Sequence, residues 1–160
     1  CHSLDGGGSD GGPDLADYNS RAWLTAFYKD PYGKRFFGTT KKPEKNRMPK
    51  LEGTDDELAA LVEVVYAESG AADVKPDLVA KAKDLFSEKD CDSCHEIDGE
   101  TGSRGPNLRG RGTLAYTIRV ISDSSHELLY GKRGLMPKFS EKLSAEQIEA
   151  LAKLVLSQKK

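Results

Sequence analysis

The sequence predicts an all-α fold built as two similar halves, and three observations carry that prediction. Strand signals are absent along the chain. Capped amphipathic stretches recur: Thr54-Asp55-Asp56-Glu57 is a capping box before an apolar run, and Ser144-Ala145-Glu146-Gln147 caps another. The chain also matches itself at an offset of 93 residues (94 − 1).

That offset carries Cys1-His2 onto Cys94-His95 and Ser3-Leu4-Asp5-Gly6 onto Glu96-Ile97-Asp98-Gly99. It carries Gly12-Pro13-Asp14-Leu15 onto Gly105-Pro106-Asn107-Leu108, and Ala22-Trp23 onto Ala115-Tyr116. Asp30 falls on Asp123, and Phe37-Gly38 on Tyr130-Gly131. The two methionines stand in the same tripeptide, Met48-Pro49-Lys50 and Met136-Pro137-Lys138, but 88 residues apart (136 − 48). The loop before the second is therefore five residues shorter (93 − 88).

The elements follow in order. Residues 3–19, with Gly6-Gly7-Gly8 and Gly11-Gly12, read as loop. Ser20 caps a short helix to Lys29 with Trp23, Leu24 and Phe27 on its buried face, and Asp30-Pro31 stops it. Residues 31–53 are a long loop carrying Lys34, Arg35, Lys41, Lys42, Lys45, Arg47 and Met48. A helix from Thr54 runs to about Tyr66, and Ser69 to Pro76 is a linker. The second half opens with a helix over Asp77–Lys89, striped with Leu78, Val79, Ala82, Leu85 and Phe86. Helices over Thr113–Ser122 and Ser144–Leu156 complete it. The expected domains are 1–70 and 71–160, the first without a counterpart of the 77–89 helix. That gap makes the chain, in this reading, the C-terminal part of a longer polypeptide. A lipid-bearing Cys1 is the rival reading of the start.

Composition narrows the function. The formal net charge is −2, with no run of basic residues for nucleic acid. The longest apolar stretches, Leu58 to Tyr66 and Ile148 to Leu156, fall well short of the about 20 residues that span a bilayer. Three cysteines make no disulfide framework. Cys91-Asp92-Ser93-Cys94-His95 has instead the C-x-x-C-H spacing of covalent haem attachment. Two thiols on one turn each add to a porphyrin vinyl group, and the histidine meets one face of the iron. A methionine on the other face completes His/Met ligation, which raises the reduction potential and leaves no open position. Zinc is the rival for the motif, but only Cys1, His2 and His126 remain to complete a four-ligand set, at no familiar spacing. His126, in the polar Ser124-Ser125-His126-Glu127, reads as a solvated histidine rather than a replacement for Met136. The basic loop residues before Met48 read equally as a solvated loop or as a docking face for an acidic redox partner.

On these motifs the chain resembles the class I cytochrome c family, as a dihaem pair of such domains. The resemblance implies a helix before C-x-x-C-H, a Gly-Pro-x-Leu segment, a short helix, a methionine loop, and a C-terminal helix packing across the first. It implies that Cys91 and Cys94 hold one haem c with His95 and Met136 as axial ligands, and that Cys1, His2 and Met48 serve a second. By the same resemblance Pro13 and Pro106 offer the carbonyls that orient the histidines. Trp23 and Tyr116 stand where the family places an aromatic donor to a haem propionate. More loosely, Gly12-Pro13-Asp14-Leu15, Ser20-Arg21-Ala22-Trp23-Leu24, Asp30-Pro31, Phe36-Phe37-Gly38 and Met48-Pro49 resemble c-type domains attached to quinol–cytochrome c reductases. The expected function is single-electron transfer between redox partner proteins, as a module of a membrane quinol-oxidising respiratory complex on the periplasmic face. It has no catalytic residues of its own. Two alternatives stand beside it: a peroxidase in which one haem opens a substrate site, and a structural subunit lacking haem one.

Overall fold

Helix starts follow from their caps. Ser20, Thr54, Thr113 and Ser144 each accept a hydrogen bond from the backbone N–H three residues on. In the computed structural model, which describes residues 1–7, 11–38, 48–99 and 104–159, these caps open four helices. They are α1 (Arg21–Lys29), α2 (Asp55–Ala67), α4 (Leu114–Ser122) and α5 (Ala145–Leu156). Between α2 and α4 lies α3 (Pro76–Glu88), which begins on proline, a residue whose missing N–H costs nothing there. Short 3₁₀ turns stand at Gly131–Arg133 and Phe139–Glu141, and the described residues contain no strand. Gly8 and the loop lysines Lys41, Lys42 and Lys45, with Arg47, lie outside the described residues.

The repeat extends into the backbone. α1 and α4 coincide end to end at the offset of 93. The bond from Leu15 N–H to the Ser3 carbonyl (2.9 Å) recurs from Leu108 to Glu96 (2.7 Å). That from Asp14 to Arg35 (2.8 Å) recurs from Asn107 to Leu128 (2.9 Å). Before each helix the turn takes two left-handed steps, at Asp17 and Asn19 (φ 57° and 60°) and at Gly110 and Gly112 (φ 69° and 83°). Asp, Asn and Gly are the residues that adopt this conformation most cheaply.

α2 is apolar nearly all round because it is enclosed. Leu58, Leu61, Val62 and Val65 are buried, with α1 against one side and α3 against another. α3 lays Val79, Ala82, Leu85 and Phe86 onto this core, so the contact crosses the 70/71 boundary expected from the sequence. The expected crossing of the last helix over the first in the second half is corrected: α5 packs on α4 and the 139–141 turn rather than across α3, and only its end, at Val155 and Leu156, reaches the shared core. The physical reason is connectivity. Only eight residues (68–75) join α2 to α3, so a helical hairpin closes at low entropic cost and satisfies the apolar surface α2 has left. As a result Leu151 and Leu154 of α5 remain 40 % and 48 % exposed.

A polar network pins this hairpin to α1. The Arg21 guanidinium grips Glu63, 1 % exposed, with two bonds of 2.7 Å, and reaches Asp73 Oδ2 and the Asp73 carbonyl at 2.7 Å. Glu63 also accepts from Lys75 N–H (2.8 Å), and Asp73 from the Tyr66 hydroxyl (2.8 Å). The Arg21 bonds hold Glu63 below its ordinary value of 4.5, and they take Asp73 down to about 2. Groups with depressed values stabilise the fold above their ordinary values and lose that contribution as pH falls through the depressed ones. Stability is therefore expected to hold above about pH 5 and to decline from there to about pH 2, with Arg21→Met flattening the decline; denaturant melts across this range check it.

Candidate functional site

The turn after α3 presents the motif. Cys91 N–H donates to the Phe86 carbonyl (2.9 Å), and Cys94 and His95 N–H both donate back to the Cys91 carbonyl (3.2 and 2.9 Å). One turn thus carries Cys91, Cys94 and His95, and both cysteines are free thiols. Burial, with Asp92 and Asp90 nearby, pushes the Cys91 thiol up, so it is protonated at neutral pH.

His95 Nδ1 donates to the Pro106 carbonyl at 2.8 Å, which fixes the tautomer and leaves Nε2 with its lone pair. Burial also holds the imidazole below its ordinary value, in the neutral form a metal requires. The ring lies directly on the backbone of Gly105, where a Cβ would stand 2.5 Å from His95 Cε1. The first half repeats the orienting bond and the glycine platform. His2 Nδ1 donates to the Pro13 carbonyl at 2.7 Å, and a Cβ on Gly12 would stand 2.5 Å from His2 Cε1. Cys1 and His2 are both exposed.

The methionine tripeptides are anchored alike. Lys50 pairs with Asp30 (3.0 Å) and Lys138 with Asp123 (3.3 Å), each tying the tripeptide to the end of α1 or α4. Met48 packs half-buried against the α1–α2–α3 core. Met136, also half-buried, accepts from the Ser124 hydroxyl through its carbonyl (3.0 Å). The predicted aromatic donors differ in state. Trp23 is 2 % exposed and spends its indole N–H on the Asp14 carbonyl (2.9 Å). The Tyr116 hydroxyl is buried without a hydrogen-bond partner. His126 is exposed, its Nδ1 accepting from Leu128 N–H (3.1 Å).

The donor chemistry suits a haem better than a lone cation. Among the described residues no three His, Cys, Asp or Glu side chains gather around a point. One oriented neutral imidazole beside two free thiols, with an orphaned buried hydroxyl, is what a covalently attached porphyrin uses. Sequence reasoning did not assign the roles of Gly12 and Gly105 or of the Lys50 and Lys138 pairs. The signal for the glycines was visible, since Gly-Pro recurs at the repeat offset.

Residues 77–155 match the family model described as cytochrome c oxidase, cbb3-type, subunit III. A relative from Helicobacter pylori (strain 52), the cbb3-type cytochrome c oxidase subunit CcoP, is 31 % identical over 119 residues. That alignment covers 70 % of this chain but 39 % of the relative, so the chain spans about two-fifths of that protein's length. These similarities are to an oxidase subunit and do not bear out the expected likeness to reductase-attached domains. No solved structure matches the chain. No helix among the described residues is long and apolar enough to cross a membrane.

Proposed function

We propose that residues 77–155 form a class I c-type cytochrome domain, as the family match and the CcoP relative support, and that the chain passes single electrons through two haem c groups, one per half. Cys91 and Cys94 would hold one, with His95 and Met136 as the iron's protein ligands; Cys1, His2 and Met48 would serve the other. The observation that carries this reading is the duplicated imidazole cradle, His2 on Pro13 and Gly12, His95 on Pro106 and Gly105. A haem bound there supplies a one-electron iron couple. The chain's own residues do the rest. The proline carbonyls hold the Nδ1 protons and keep each Nε2 aimed one way. The lysine–aspartate pairs fix the methionine loops. With a histidine and a methionine both bound, the iron would have no position left for substrate, which argues against the peroxidase alternative.

The likeness to an oxidase subunit favours a module of a membrane respiratory complex, with its other subunits as partners, on the extracytoplasmic face. Within that complex we favour delivery of electrons to an oxidase over a place in quinol oxidation. The intact holoprotein is expected to carry the mass of two haems and to show the weak far-red absorption of methionine-bound ferric haem. Met136→Ala should lose about half of that band. A single haem in the parent, or a band untouched by the substitution, would overturn the assignment.

A further inference from the structure

Arg111 is the second half's counterpart of Tyr18, and the two face each other. The Arg111 guanidinium is buried, 9 % exposed, and stands 5.7 Å from the ring centroids of Tyr18 and Trp23, both in the first half. Tyr116 and Tyr130 of the second half share its surroundings. No carboxylate among the described residues pairs with it. The turns that carry these residues, 17–19 and 110–112, are equivalent in the repeat and pack on one another: a Cβ on Gly112 would collide with the Asn19 amide. Asn19 is 1 % exposed, and neither end of its amide finds a partner. A buried cation with no carboxylate partner among the described residues, beside the unpartnered Asn19 amide, is an electrostatic centre left incomplete by those residues alone.

We propose that Arg111 is a positioning residue shared by the two redox sites, a fixed charge lent by the second half to the first that favours the reduced state of both. The inference rests on the haem reading above. Reduction adds one electron to an iron and removes one unit of positive charge from its site. A buried guanidinium within the aromatic wall of one half, and beside Tyr116 of the other, stabilises that change on both sides.

The test is redox titration of the holoprotein as Arg111→Gln, with Arg111→Met preserving the packed stem should the first variant not fold. Arg111→Lys, which keeps the charge, is the rescue. Both couples are expected to shift toward the oxidised form by about tenfold, about 59 mV for a one-electron couple, with the haem count unchanged and the lysine variant restoring much of the difference. A merely structural arginine would not move a potential in step with its charge. Unchanged potentials, or a shift confined to one haem, would overturn the sharing. A parent protein without haem in both halves would instead overturn the reading on which it rests, and mass separates the two failures.

Discussion

Arg21→Met is expected to destabilise the chain by about 3–5 kcal/mol, because it leaves the Glu63 carboxylate charged and 1 % exposed with only the Lys75 N–H to satisfy it. Two bonds of 2.7 Å from the guanidinium are lost at once, leaving only the unbonded charge of Lys75 to offset the carboxylate. The loss is larger than for Glu63→Gln, which keeps the shape and part of the bonding. A double replacement, Arg21→Met with Glu63→Leu, should recover much of the stability, since an apolar pair of similar volume carries no desolvation cost. Chemical denaturation of the parent, Arg21→Met, Glu63→Leu and the double variant closes the cycle. A single substitution within about 0.5 kcal/mol of the parent would show that the pair is ornamental rather than structural.

The second large effect is expected at the imidazole platform. In Gly105→Ala the added carbon would lie 2.5 Å from His95 Cε1 and 2.9 Å from the Cys94 carbonyl, so the ring must lift away. Lifting it breaks the bond to the Pro106 carbonyl, and losing such a supporting partner costs about 10–100-fold in metal affinity. The visible spectrum should show a high-spin fraction for one haem, and Gly12→Ala should produce the same signature for the other. Gly11→Ala is the control, because among the described residues its Cβ would meet only Cys1 atoms, at 4.0 Å. A fully low-spin Gly105→Ala protein would contradict the cradle as a device for aiming Nε2.

Much of the arrangement was legible in the residues. The caps at Ser20, Thr54, Thr113 and Ser144 mark helix starts through local hydrogen bonds, which a sequence displays directly. The family resemblance supplied the proline carbonyls, and the bond from His95 to Pro106 is a local closure of eleven residues. What escaped was long-range. Nothing in the stripe Val79, Ala82, Leu85, Phe86 says whether it faces α2 or α5, since both helices offer apolar surface, and the short 68–75 connection decides it. Arg111 was equally silent. In sequence it is one more basic residue in a glycine-rich loop, and only the meeting of two equivalent turns buries it against Tyr18 and Trp23.

The α2–α3 hairpin also sets how the molecule comes apart. The segment that leads into Cys91 is built into the wall of the opposite half, so the two halves are interlocked rather than strung like beads. Cutting the backbone between them would strip Val79, Ala82, Leu85 and Phe86 from the interior they close. Melting of the first interior would then release the strap that steadies the Cys91–His95 turn, and loss of order should propagate from one half into the other as one cooperative unit.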